Sequence, residues 1–197
     1  MTDAGYIKFN LDWQEGPPPN GHETAELQEW RTVLWQKGLI GVTEHGIGYG
    51  NISVRAGNNN QFIISCTQTG ALPELSNENY CRITGFDIFN NQISAIGSFR
   101  PSSEALTHAA CYAANPLICA VIHVHHSQLW QCLLRAGPSR SPNAPYGSKE
   151  LAMELTKLLA DKNTGQAQLI ALAGHTDGVL SVGHRLEHAA TALIDEL

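Results

Sequence analysis

From Leu117 to Val124 the chain reads LICAVIHV, an apolar run of strand length that starts after Pro116 and is broken only by His123. A run this apolar suits a strand buried within a sheet, and such a sheet needs covering layers. The segments around it supply them. Leu27, Trp30, Leu34 and Trp35 fall at helical spacing ahead of Gly38, which predicts a helix over 23–37. Asn51 to Arg55 and Phe62 to Ser65 flank Gly57-Asn58-Asn59-Asn60 and predict a hairpin. Arg82 to Phe89 and Gln92 to Ile96 predict a second one around Asn90-Asn91. Pro101-Ser102-Ser103 opens a helix to about Ala114, with a serine as its cap. Further helices are predicted over Gln128 to Leu134, after Ser148, and over Arg185 to Leu197, with strands at Gln168 to Leu172 and Val179 to Val182. Residues 1–22, with three successive prolines, read as an extended arm, and residues 23–197 as one α/β domain whose sheet is mixed or largely antiparallel.

Composition narrows the functional classes. Apolar residues make up 43% and charged residues 15%, which excludes general disorder. A net charge of −6 argues against a nucleic-acid-coating surface. No apolar run reaches the roughly 18 to 20 residues of a membrane span. Met1 to Asn20 lacks the basic-then-apolar pattern of a secretory signal. Five cysteines without a CxxC pair read as reduced, mostly buried thiols, consistent with a cytoplasmic protein. Neither a dinucleotide fingerprint nor a P-loop nor a GxSxG elbow is present. Nine histidines against twelve Lys plus Arg is the unusual figure.

The histidines cluster on the apolar strand. Side chains alternate along a strand, so His123 and His125 share a face and together can bind one divalent metal, while His126 points the other way. His175 follows the strand Gln168 to Leu172 and precedes Asp177-Gly178; alone, it reads as readily as a solvent-facing turn residue. Glu104 in the first helical turn suits the helix dipole as a simple cap, or serves as a general acid/base beside a metal-bound substrate. His108, one turn on, reads as buried support. Gly50-Asn51, Thr69-Gly70 and Ser102-Ser103 are turn segments whose N–H, amide and hydroxyl groups suit an anion, provided that they converge.

In order, Gly50-Asn51-Ile52-Ser53-Val54-Arg55, Thr67-Gln68-Thr69-Gly70, Pro101-Ser102-Ser103-Glu104, His123-Val124-His125 and His175 to Gly178 resemble the motifs of the class II aldolase/adducin family, from about Glu23 onward. The resemblance implies a single-domain α/β/α sandwich around a mixed, mainly antiparallel sheet, assembled as a homotetramer with active sites between subunits. It implies that His123, His125 and His175 bind a divalent metal, most often zinc, with manganese, cobalt and iron as alternatives. Glu104 would be the acid/base, and Gly50, Asn51, Thr69, Gly70, Ser102 and Ser103 would hold the phosphate of a small sugar phosphate. The implied reaction is retro-aldol cleavage through a metal-stabilised enediolate. Dehydration or epimerisation on the same site, or a non-catalytic adducin-like module, are the alternatives. Two residues separate His175 from Gly178, where the family's aldolases have a His-Gly pair, so Asp177 competes with His175 as third ligand.

Overall fold

The computed structural model describes residues 6–57, 61–137, 143–160 and 167–197. The tip of the first predicted hairpin, Asn58-Asn59-Asn60, and part of the loop expected between Gly137 and Gly147 lie outside the described residues, as do residues 1–5. Among the described residues ten strands and five α-helices follow one another: β1 Asn10–Glu15, α1 Gly21–Gln36, β2 Gly41–Val42, β3 Gly48–Tyr49, β4 Asn51–Ala56, β5 Gln61–Ser65, β6 Tyr80–Asp87, β7 Gln92–Gly97, α2 Ala105–Ala114, β8 Ala120–His125, α3 Ser127–Ala136, α4 Lys149–Ala160, β9 Gln168–Ala171, β10 Gly178–Gly183 and α5 Leu186–Ile194.

Eight strands form one sheet in the order β1-β7-β6-β5-β4-β8-β10-β9. Every pairing in it is antiparallel except β1 with β7. The sheet is therefore mixed and mainly antiparallel, with the apolar strand β8 in its interior. Alternation along β8 divides two cores. Val121 packs with α2 and α4 on one face, and Ala120, Ile122 and Val124 pack with α1, α3 and α5 on the other. His123 and His125 have the same parity as Val121, which puts them on the α2 side.

Local chemistry explains the boundaries. Asn20 caps α1 by accepting from the backbone N–H groups of His22 and Glu23, and Glu23 returns the bond to the Asn20 N–H. The buried Arg31 of α1 donates to the carbonyls of Thr69, Leu72 and Pro73, and Trp35 Nε1 donates to that of Gly70. The helix thereby fastens the Thr69–Pro73 loop.

Three differences from the sequence reading stand out. Residues 10–15, expected within an arm, are extended but hydrogen-bond to β7 as an edge strand. A short hairpin of β2 and β3 occupies residues 41–49, where no element was predicted. At α2 the residue flanking the first turn is Glu104 rather than a serine, and Ser102 Oγ accepts from the Glu104 N–H at 3.2 Å. No helix among the described residues is long and apolar enough to cross a membrane.

Candidate metal centre

Strand β8 ends at His125, and the turn between β9 and β10 lies beside that end because β10 runs antiparallel to β8, with Gly178 opposite His125. His175, in this turn, is thereby carried to His123 and His125. The turn is tight: Asp177 holds φ at +64°, and its carbonyl accepts from the His126 N–H at 2.9 Å. The three imidazole rings stand 4.7 to 5.1 Å apart, and one nitrogen from each lies within 4.8 Å of the other two. Asp177 does not join this cluster; its charge acts on His125 from nearby and opposes the effect of burial there.

Glu104, 3% exposed at the start of α2, reaches into the same place. Its Oε1 is 3.2 Å from His123 Nδ1 and 3.5 Å from His175 Nδ1. Burial pushes the Glu104 carboxyl up to about 8, against the positive charge of Lys8, which pulls it down. Burial likewise lowers His125 to about 4 and His175 to about 3, and holds His123 well below the ordinary histidine value. At pH 7 the rings are thus neutral, with lone pairs free to coordinate.

The donor set fits a divalent cation. His123 Nε2 and His175 Nδ1 are buried and accept or donate no hydrogen bond among the described residues, which is costly unless something binds there. Three neutral imidazoles with a carboxylate alongside suit zinc and its first-row neighbours, and leave a coordination position for substrate.

A cleft with about 670 Å³ of empty space, its open mouth included, lies over this cluster. Gly50, Asn51, Thr69, Gly70, Ser102 and Ser103 line it together with Glu104 and the three histidines, so the residues that the family resemblance implicates in metal, acid/base and phosphate roles border one cleft. Convergence has visible causes. Ser102 N–H donates to the Ser65 carbonyl, Thr67 N–H donates to that of Arg100, and Asn51 pairs with His123 across β4 and β8. The carbonyls of Thr69 and Gly70 are turned to α1 by Arg31 and Trp35. Because a trans peptide sets its C=O and N–H in opposite directions, the N–H groups of Gly70 and Ala71 point away from that helix.

Some wall residues escaped the sequence reading. Tyr49 of β3 lies against His125 with ring centroids 5.2 Å apart, and Tyr146 lies against His175 at 4.9 Å. Lys8 Nζ sits 3.8 Å above the Tyr146 ring, so the N-terminal segment adds a cation to the rim. Nothing in the spacing of Tyr146 ties it to His175. His126 faces away, as its parity requires, and its Nδ1 accepts from the Leu129 N–H to cap α3. Burial pushes the Cys81 and Cys111 thiols up to about 12 and raises Cys66, which lines the cleft, further still, which disfavours a thiolate at these three positions.

Residues 26–195 match the model of the class II aldolase and adducin N-terminal domain family. A 3-oxo-tetronate 4-phosphate decarboxylase from Haemophilus influenzae is 34% identical over 164 residues, covering 73% of this chain and 70% of that one. Among solved structures, an L-fuculose 1-phosphate aldolase matches with a TM-score of 0.68 at 23% identity, over 91% of this chain and 83% of that one. YgbL from Klebsiella pneumoniae matches with a TM-score of 0.66 at 22% identity, over 89% and 86%.

Proposed function

The chain belongs to the class II aldolase and adducin N-terminal domain family, and from that premise we propose that it is a divalent-metal-dependent carbon–carbon lyase acting on a small phosphorylated hydroxy-carbonyl compound. The observation that carries this reading is the buried cluster of His123, His125 and His175 with Glu104 at its edge, facing a cleft walled by anion-type donors. His123, His125 and His175 would hold the metal, which supplies Lewis-acid polarisation of a substrate carbonyl.

The chain's own groups do the rest. The Gly70 N–H group and the Ser102 and Ser103 hydroxyls hold the phosphate without any lysine, while the Asn51 side chain, bonded to His108 and His123, forms the wall beside them. That anchor places the carbonyl end of the substrate beside Glu104. In an aldol cleavage Glu104 in its ionised form, which burial disfavours and a cation held by the three histidines would favour, takes the proton from the hydroxyl on the departing carbon. The carbon–carbon bond breaks, the departing carbon leaves as a carbonyl, the electron pair stays on the carbon next to the carbonyl of the retained fragment, and Glu104 returns the proton to that retained carbon. The deep burial of Glu104 shields this exchange from bulk water.

Decarboxylation is the second reading, favoured by the decarboxylase relative. There the same bond electrons are left behind by carbon dioxide, and Glu104 has only to deliver a proton. Product analysis separates the two, because aldol cleavage yields two carbonyl fragments and decarboxylation yields carbon dioxide. Purified protein is expected to carry about one divalent metal per chain, and the His123→Ala/His125→Ala double variant none. Glu104→Gln is expected to lose at least ~100-fold in turnover while retaining metal. Full turnover by that variant would remove Glu104 from the mechanism, and a wild-type protein that takes up neither zinc nor manganese would point to an adducin-like binding module. Assembly as a homotetramer belongs to the same proposal, checked by light scattering against four times 21.4 kDa.

A further inference from the structure

Behind the histidine cluster, on the α2 side of the sheet, a chain of polar side chains runs through a core that is otherwise apolar. Asn51 Nδ2 lies 3.4 Å from His123 Nδ1, and Asn51 Oδ1 lies 2.6 Å from His108 Nε2. His108 Nδ1 lies 2.7 Å from Ser53 Oγ, which is 2.7 Å from the Tyr112 hydroxyl. His108 and Ser53 are fully buried, Tyr112 is 2% exposed and Asn51 7%. Their neighbours on this face are Phe62, Ala105, Ala109 and Val121. Apolar side chains filling this volume would serve stability as well, since replacing both partners of a buried hydrogen bond costs little. The chain is therefore suited to orienting something, and the group at its end is His123.

We propose that His108 is a positioning residue that, through Asn51, holds the His123 ring with Nδ1 turned into the protein and Nε2 turned into the cleft, ready to coordinate a metal. The inference rests on the metal reading given above and adds to it a residue that touches neither metal nor substrate.

The donor count makes the chain directional. Burial keeps His108 neutral, so one of its ring nitrogens donates and the other accepts. With the Asn51 amide nitrogen toward His123, His108 Nε2–H donates to Asn51 Oδ1. His108 Nδ1 then accepts from the Ser53 hydroxyl, which in turn accepts from Tyr112. Half a turn of the Asn51 amide reverses every bond: His123 Nδ1–H then donates to Asn51 Oδ1, Asn51 Nδ2–H to His108 Nε2, and His108 Nδ1–H to Ser53. Each imidazole has then moved its proton from Nε2 to Nδ1, and no residue has gained or lost one. The reversed order leaves the Nε2 lone pair of His123 free, while its Nδ1 proton faces Asn51 Oδ1 and also Glu104 Oε1 at 3.2 Å. Among the described residues His108 links Asn51 to the buried Ser53–Tyr112 pair, so the tautomers of His108 and His123 change together. Partners of metal-ligating histidines typically contribute 10- to 100-fold in metal affinity.

The test measures zinc affinity of the full chain by chelator competition, together with the visible spectrum of the cobalt-substituted protein. His108→Phe fills the volume without either bond and is expected to weaken zinc binding ~10- to 100-fold and to shift the cobalt bands. His108→Gln, which keeps a polar group facing Asn51, is expected to recover most of that loss. Ser53→Ala removes the anchor of His108 and is expected to weaken binding in the same sense; it decides the question if His108→Phe does not fold. Cys111→Ala, buried on the same helix but outside the chain, is the control, expected to lower Tm and leave zinc affinity unchanged. Wild-type affinity and spectrum in the folded His108→Phe and Ser53→Ala proteins would overturn the assignment while leaving the metal reading intact. Failure of the wild-type protein to bind zinc or cobalt would overturn both.

Discussion

A methyl group added at Gly70 would stand 2.1 Å from the Gly41 carbonyl oxygen and 3.0 Å from Gly48 Cα. Both are backbone atoms of the β2–β3 hairpin, so neither can swing aside. Gly70→Ala is therefore expected to push that hairpin off the Thr69–Gly70 loop, to lower stability by ~1 to 3 kcal/mol and to abolish competition by inorganic phosphate for the cleft. Thermal melts with and without phosphate check it, and a variant with unchanged phosphate protection would take this loop out of the anion site. The residues that bear the site differ in how readable they are. His123 and His125 declare their common face through spacing alone. His175 declares nothing by spacing, because a turn has no period; only its place in an ordered set of motifs marks it. That Tyr49, Tyr146 and Lys8 gather beside the imidazoles was not legible, since contact with an imidazole depends on where a loop folds back and not on its neighbours in sequence.

Helix α1 shows how one element serves both core and site. Its outer end is fixed by the reciprocal bonds of Asn20 and Glu23, and its inner face carries Arg31 and Trp35 to the loop at the cleft. Asn20→Ala is expected to cost about 1 kcal/mol, read as a shifted urea midpoint at constant m-value, with metal affinity unaltered. A loss of metal affinity would mean that the cap transmits to the loop. The helix was legible from the 3.6-residue period of its apolar face. Strand β1 was not. Its residues are exposed or half-buried, prolines follow it, and its partner β7 lies some eighty residues downstream. Edge strands of this kind pair through backbone groups, which leave no trace in side-chain pattern. The hairpin of β2 and β3 was missed because two-residue strands are too short to display a period.

For the molecule as a whole, burial of the histidine cluster sets the response to acid. In the metal-free protein His108 and His175 titrate near 3 and His125 near 4, whereas the unfolded chain takes up those protons near 6.5. The stability tied to neutral rings is thus fully present above about 6.5 and is lost as pH falls from there toward 3, by at most ~1.4 kcal/mol per pH unit for each ring. Glu104, pushed up to about 8, acts in the opposite sense over 4.5 to 8 and offsets one ring's share where the two windows overlap. Urea midpoints of chelator-treated protein are expected to fall steadily as pH drops below about 6.5; midpoints that stay flat to pH ~4 would contradict the burial of these rings. The α/β class and the antiparallel bias of the sheet were readable from its hairpins. The strand order was not, since pairings such as β4 with β8 join segments more than sixty residues apart.

The placement of the three histidines on β8 and on the turn leading into β10 also orders events in time. His125 leaves the ribosome fifty residues before His175, and at ~5 to 20 residues per second the interval is a few seconds. During that interval only a two-ligand half-site exists, on a strand still lacking its β10 neighbour. On the proposed metal reading, two imidazoles alone would hold a cation less firmly than the completed three-imidazole set. On the same reading, the identity of the ion is consequently decided when the β8–β10 ladder zips and the third imidazole arrives, and so reflects the ions available at that moment.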